Sequence, residues 1–452
     1  MVAQTAQVRT SLRGPKSRFF IGNLPEFNGD SIKFMLENRQ YGDLTRFFFG
    51  PFPVLVINSP ELSHEVLMDS LTKWSKPALT LAVLEPIIGN GLFTSEGDFW
   101  KRQRKLVQPA FHSKRIGEYG QVMADYSNDL AKEWAGAIGQ ERAIEKDMTH
   151  LTMRIIAKTL FDADVTVEAS EVGETIREAL ALVEEGFRQL FPPPKWMPTK
   201  HNRRMKRAVA RLDKLIQGFI DARRASNEDK GDFLSLLLQA RDEDDNSQMT
   251  DKQVRDEAMT LFGAGHETTS VTMTWTWYLL SQHPEVAAKL HEELDLVLAG
   301  RLPTLADLHN LPYTDMVIKE AMRLYPAAWS VTRMPNEDVN LDGYLAKKGQ
   351  IAFINVIGMH HDPRFFPQPE KFMPERFAPE HEKNIPKYAY LPFGGGPRVC
   401  IGNSFAMMEA RLILATLAQR FAPEVAPGFE VYPDRQFTLK PKYGMKMVIR
   451  ER

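Results

Sequence analysis

A helical pattern runs without a break from about Asp251 to Gln282 and ends before His283-Pro284. An element of that length commits the chain to a mainly α fold, and the rest of the pattern agrees. Amphipathic stretches cover about 61–68, 98–107, 115–137, 148–161, 172–187, 203–224, 232–241, 285–299 and 315–325. Two strand-like runs, at about 44–49 and 54–58, are split by Gly50-Pro51-Phe52-Pro53 and predict a hairpin. The segment from Phe191 to Pro198 carries too many prolines for regular helix and separates two long helices. From Ala327 to Pro397 the chain reads as irregular with short strand signals, and a last helix is expected over about 403–421. No linker divides the pattern, so residues 1–452 are expected to form one domain, with 1–20 a flexible tail. Within the long helix stand Gly263 and Gly265. Each costs a helix interior about 1 kcal/mol relative to alanine, so something there must compensate.

Composition removes several classes. With 452 residues, 43% of them hydrophobic and 25% charged, the chain can bury a large core and is neither disordered nor collagenous. Lys and Arg number 57 against 58 Asp and Glu, so a general footprint for nucleic acid is absent. The one cysteine, Cys400, forms no intramolecular disulfide and no Cys-x-x-Cys zinc site. Residues 1–23 hold no apolar run of about 20 residues, and their charges begin with Arg9, Arg13, Lys16 and Arg18. The expectation is a solvated tail, no transmembrane anchor and a cytoplasmic protein.

Cys400 ends the run Phe393-Gly394-Gly395-Gly396-Pro397-Arg398-Val399-Cys400 and is followed by Ile401-Gly402 and the last helix. Glycines let the backbone approach a neighbour closely. A cysteine at a helix N-terminus meets unsatisfied N–H groups and the positive end of the dipole, and Arg398 adds a cation. These features predict a thiolate rather than an inert buried thiol. A cysteine nucleophile would need a histidine partner, and none of the 11 histidines lies in a recognisable partner motif.

The spacing F-x-x-G-x-R-x-C-x-G is similar, at every fixed position, to the signature of cytochrome P-450, the haem-thiolate monooxygenases. The resemblance extends over most of the chain. It implies the cytochrome P-450 fold, a helical bundle around haem with small β-sheets. It further implies haem b as cofactor, with Cys400 as the axial thiolate that pushes electron density onto iron and favours O–O cleavage. Phe393 would pack beside the loop, Arg398 would pair with a haem propionate, and Gly402 and Ala264 would contact the cofactor.

A second match lies in the long helix, where Ala264-Gly265-His266-Glu267-Thr268-Thr269 resembles the family's (A/G)-G-x-(D/E)-T-(T/S). Dioxygen must receive protons before its O–O bond is cleaved. Thr268 would donate and Glu267 would connect the site to solvent, which makes both catalytic. Thr268 bonding back to the preceding turn is the structural alternative. A zinc site of the H-E-x-x-H kind is rejected because position 270 is Ser. The small residues Ala264 and Gly265 would leave room beside the iron. The acid–alcohol pair favours dioxygen driven by external electrons over the rival readings, a haem-thiolate peroxygenase or isomerase and a non-catalytic haem-based ligand-binding protein.

The resemblance also implies a scaffold. Glu320 and Arg323 form an E-x-x-R pair joined by Arg376 of Pro374-Glu375-Arg376-Phe377, a structural role. Trp100 and Arg104 resemble W-x-x-x-R, and they and Arg333 are expected at the propionates. His360-His361-Asp362-Pro363 reads as a turn rather than a metal site.

The expected pocket is apolar and suits a lipophilic substrate. Its linings are Leu79, Leu81, Val83, Leu92 and Phe93; then Leu261, Phe262 and Ala264; then Ala327, Ala328, Trp329 and Val331. Gly91-Leu92-Phe93-Thr94-Ser95 and the Ala264–Ser270 run look closest to bacterial fatty-acid hydroxylases. Arg46 is the sole basic residue near the first strands, so terpenoids, steroids or alkanes fit as well as a fatty acid. No fused reductase is expected after the haem domain, and electrons would come from a separate ferredoxin or flavodoxin with its reductase. Lys101, Arg102, Lys105, Lys114 and Arg115 are the candidate docking face.

Overall fold

The computed structural model describes residues 9, 11–163, 169–187, 194, 196–226, 230, 232–242 and 246–452. Its axis is the helix Asp251–Gln282, which has the bounds read from the sequence. Thr250 caps it. Its hydroxyl accepts from the Gln253 N–H at 3.3 Å while the Gln253 side chain accepts from the Thr250 N–H at 2.7 Å. Beyond the first turn this helix is buried nearly all round, which is why polar positions such as Thr272, Thr274 and Thr276 bond back to carbonyls of the preceding turn. Its closest companion is the helix Ile144–Phe161. That contact explains Gly265, since a side-chain carbon there would lie 2.5 Å from Cδ1 of Ile156. Gly263 meets nothing and faces the cavity described below.

The hairpin is formed by Leu44–Phe49 and Phe52–Ile57, antiparallel, with Phe49 opposite Phe52. The second strand starts two residues earlier than expected. Pro53 is tolerated because the next strand, Ala352–Ile354, pairs only with residues 55–57. That pairing is parallel and joins chain segments about 300 residues apart. Val331–Pro335 and Trp74–Ser75 complete the five-stranded sheet. The helix carrying Cys400 at its start spans Asn403–Leu417, four residues shorter than expected.

Among the helices not anticipated are Leu24–Gly29, Ser31–Asn38, the short Val356–His360 and Pro379–Glu382, and Ala78–Ile88. The last is apolar on nearly every face and contains Pro86, so it shows no 3.6-residue period. The tail expected to be flexible over 1–20 is tied down in its described part. The Arg9 N–H donates to Gly343 O, the Arg46 N–H donates to Arg13 O, and Leu12 is buried. Residues 1–8 and 10 lie outside the described residues, as do 191–193 and 195 of the proline segment. No described helix is long and apolar enough to cross a membrane.

Candidate active site

The central helix, the helix Ala78–Ile88, the segment after Pro326 and the cysteine loop enclose a cavity of about 970 Å³. The loop is held by its own backbone, with the Cys400 N–H on Phe393 O at 3.0 Å and the Val399 N–H on Gly396 O at 3.1 Å. Gly396 has φ +67 and lies so close to Leu67 O that a side-chain carbon would sit 2.3 Å from it, so only glycine fits. Phe393, Cys400, Ile401 and Gly402 all face the cavity, and the surface of Cys400 opens into it.

The helix start is not the only influence on the sulfur. Burial raises the Cys400 thiol above its ordinary range, and the Gly402 N–H and the Arg104 guanidinium offset this only in part. Desolvation by the surrounding loop and cavity walls is the largest of these influences, while part of the Cys400 surface still opens into the cavity. A metal cation supplies what the protein lacks, since a coordinating thiol is deprotonated by the ion itself.

Cations crowd the same cavity wall. Arg104 donates to Val399 O at 3.0 Å. Arg398 stacks over Trp100 at 4.5 Å, donates to Ser95 O at 3.0 Å and pairs with Glu96, a partner that no motif spacing marks. Lys76 also reaches Glu96, at 3.1 Å. Burial and then the Arg398 charge push Lys76 down to about 7 and Arg333 down to about 10. Among the described residues, Nε of Arg333 and Nε of Arg398 have no hydrogen-bond partner. One carboxylate among Lys76, Arg333 and Arg398 leaves a buried excess of positive charge. A ligand carrying two carboxylates beside a metal that binds sulfur fits this arrangement, and haem with its propionates is such a ligand.

Opposite the loop, Thr268 donates to Ala264 O at 3.0 Å and faces the cavity with Ala264 and Glu267. Glu267 is buried, accepts from the Thr438 hydroxyl at 2.9 Å and pairs with Lys440. Burial alone would raise its carboxyl; the Lys440 ammonium, His266 and the Thr438 hydroxyl bring it below the usual range. Lys440, a quarter exposed, carries this network toward solvent.

The apolar walls hold most of the expected residues. Leu261, Phe262, Ala328, Trp329 and Val331 line the cavity. Trp329 is fixed by its indole N–H on Gln436 O at 3.3 Å. Phe93 is 40% exposed and meets Phe437 edge-on at 6.1 Å. Leu81 and Val83 are corrections. Leu79, Thr80, Leu84, Ile87 and Ile88 of the helix line the cavity, whereas Leu81 is not part of the lining and Val83 packs on Gly186.

The scaffold pair is fully buried. Arg323 donates Nε and Nη2 to Glu320 at 2.7 and 2.8 Å, and its side chain and that of Glu320 are both 0% exposed. Arg376 reaches Glu320 at 3.2 Å, and Arg323 also donates to His360 O and Lys371 O. His360 is no metal ligand: its Nε2 accepts from the Leu391 N–H at 2.9 Å, so its proton sits on Nδ1, 3.1 Å from Arg323 O. Burial, with the Arg323 charge, lowers both His360 and His361 to about 3. The expected docking face is divided. Lys101 sits on exposed Asp98, whereas Arg102 is drawn inward to Asp242 and Ser247 at 2.7 Å each. The side chains of Lys114 and Arg115 lie outside the described residues.

A family profile described as Cytochrome P450 matches residues 12–447. Cyclooctatin synthase of Streptomyces melanosporofaciens is 39% identical, over 90% of this chain and 89% of that protein. Cyclooctat-9-en-7-ol 5-monooxygenase of the same organism is 35% identical, over 88% and 86%. Pentalenene oxygenase of Streptomyces avermitilis is 33% identical, over 89% of each chain. These matches run the length of a chain whose lone thiol opens into a cation-walled cavity beneath a central helix: the protein belongs to the cytochrome P450 family and is a haem monooxygenase acting on lipophilic substrates.

Proposed function

We propose that Cys400 is the axial ligand, that Thr268 and Glu267 carry the proton route, and that the substrate is a neutral, compact lipophile of the terpenoid kind. The observation that carries this reading is the placement of the one thiol and the Thr268 hydroxyl on the same 970 Å³ cavity. When bound, the haem supplies dioxygen activation: two electrons from outside reduce O2, one oxygen atom enters the substrate and the other leaves as water. The protein's own groups do the rest. Cys400 anchors the cofactor. Lys76, Arg333 and Arg398 neutralise its two carboxylates, with Trp100 and Arg104 beside them. Phe93, Leu261, Ala328 and Val331 hold an apolar carbon skeleton away from water.

Thr268 and Glu267 divide the proton work. The hydroxyl, facing the cavity, delivers a proton and is resupplied from the Glu267 side, where Lys440 and Thr438 keep the carboxylate ionised and connected outward. Thr268→Ala is expected to leave haem content unchanged and to reduce product per electron consumed by about 10²-fold, the lower end of what general acid catalysis contributes. Peroxide-driven activity that falls as far as electron-driven activity does would count against the hydroxyl as proton donor. Lys440→Met tests the other end. Removing the ammonium leaves burial dominant, so the Glu267 carboxyl rises and the acid limb of the pH profile of product formation moves to higher pH. An unmoved limb would show that the carboxylate is not in the route.

The substrate class follows from the walls and the relatives. Arg46, the one expected anchor for a fatty-acid carboxylate, stands over the Phe48 ring at 5.3 Å and is no part of the cavity lining. The relatives are named for pentalenene and cyclooctat-9-en-7-ol, both without a carboxylate. Electrons would reach the haem from an iron–sulfur or flavin protein. The first experiment is the absorption difference spectrum of the reduced protein with carbon monoxide. A strongly red-shifted Soret band supports Cys400 ligation, and a band at the shorter wavelength of a neutral ligand overturns it.

A further inference from the structure

Three consecutive residues of the central helix grip the turn that leads into the cavity wall. The Arg255 guanidinium donates to Ile87 O at 3.1 Å and pairs with Asp213 on the helix Lys200–Ser226. The Asp256 carboxylate accepts from the Asn90 N–H at 2.9 Å. Glu257 accepts from the Leu92 N–H at 3.0 Å. The turn is shaped for this grip. Gly89 has φ +65, and a side-chain carbon there would lie 2.0 Å from the Asp256 carboxylate. Ile87, Ile88, Leu92 and Phe93, which follow directly from these contacts, line the cavity, as does Leu261 one turn further along the central helix.

Glu257 is the unusual member. It is 0% exposed, its Oε1 has no hydrogen-bond partner among the described residues, and no cation pairs with it. A charged carboxyl buried this way is costly. Burial, and beyond it the neighbouring Asp256 charge, raises Glu257 to about 7 against the lowering effect of the Leu92 N–H. A buried acid with one bond, made to the backbone of a cavity wall, has no evident structural purpose other than that bond.

We propose that Glu257 is a specificity-determining positioning residue: by holding the Leu92 N–H it fixes the Leu92–Phe93 wall and so decides which shapes the cavity accepts. The proposal rests on the reading of this cavity as the substrate site. It acts through the backbone and touches neither cofactor nor substrate.

The test compares Glu257→Gln, whose amide oxygen still accepts the Leu92 N–H, with Glu257→Met, which fills the volume without an acceptor. Two readouts are used on haem-loaded protein. Amide exchange over residues 88–94 is expected to quicken about tenfold in the methionine variant, as for a buried donor left unsatisfied, and to be rescued by glutamine. Spectral titration is then made with imidazole, too small to reach the wall, and with econazole, an azole with bulky apolar arms long enough to reach it. Econazole is expected to weaken about tenfold in the methionine variant alone, with imidazole within about twofold in both. Equal loss for both azoles, or a methionine variant that matches the wild type in exchange and in econazole binding, overturns the proposal. Imidazole producing no spectral shift on the wild-type protein would instead fail the haem-site reading, and the exchange comparison would still decide the role of Glu257.

Discussion

Cys400→Ser is expected to abolish product formation while leaving the helical scaffold folded. The substitution exchanges one atom in a loop whose shape is set elsewhere, by the Cys400 N–H on Phe393 O, the Val399 N–H on Gly396 O and the approach of Gly396 to Leu67. Nothing in that framework uses the sulfur, so stability of the cofactor-free chain changes little. The chemistry changes completely. A serine hydroxyl ionises far less readily than a thiol and donates less electron density to a metal, and the thiolate's donation is what favours O–O cleavage. Some haem is expected to be retained, because Lys76, Arg333 and Arg398 would hold its carboxylates independently of the axial ligand. The variant should therefore show a carbon monoxide band at the shorter wavelength of a neutral ligand and turnover at background. Retained turnover, or an unmoved red-shifted band, would remove Cys400 from the axial position.

The second large effect is on stability. Arg323→Ala removes a guanidinium that serves Glu320 twice and two carbonyls, His360 O and Lys371 O, all in a site with no access to water. Removing one partner of a buried pair costs about 3–5 kcal/mol because the other charge is left behind. An exposed i, i+3 pair would cost no more than about 1 kcal/mol. Arg376 and the Met373 N–H remain on Glu320 and soften the loss without abolishing it. A loss of that size is a large share of the 5–15 kcal/mol typical of folded domains, so the variant should yield little haem-loaded protein. Urea unfolding measures it. The double variant Glu320→Leu with Arg323→Met is expected to recover only part of the loss, since no carboxylate is then stranded but Arg376 loses its partner. A single-variant cost below about 1 kcal/mol would show that the pair is idle.

The residues that carry chemistry were legible because they stand at fixed spacing along one segment. The F-x-x-G-x-R-x-C-x-G run, the Ala264–Thr269 stretch and the Glu320–Arg323 pair each announce themselves within a dozen positions. What escaped has two causes. The helix Ala78–Ile88 is apolar on nearly every side and interrupted by Pro86, so no period marks it or says that Leu81 stays out of the cavity lining. The partners that tune the site come from far along the chain. Lys440 and Thr438 lie some 170 residues from Glu267, Glu96 about 300 from Arg398, and Leu92 about 165 from Glu257. Spacing carries no information about such pairs. The effect of burial on the Cys400 thiol escaped for a related reason. The helix start is local and visible, whereas the burial that opposes it is the sum of every wall around the sulfur.

The parallel pairing of Phe52–Ile57 with Ala352–Ile354 sets a schedule for synthesis. At roughly 5–20 residues per second, a ribosome needs about 15–60 s to make the intervening stretch of chain. For that time the hairpin Leu44–Phe49 and Phe52–Ile57 exists with one apolar edge, Leu55-Val56-Ile57, unmatched, and such an edge is a template for wrong pairing. The helix Asn403–Leu417, which packs on the central helix and on the helix Ser113–Ala135, emerges later still, so the partner strand is available before the helical core is complete. The first fifty-odd residues of the nascent chain are therefore the ones a folding helper must shelter longest.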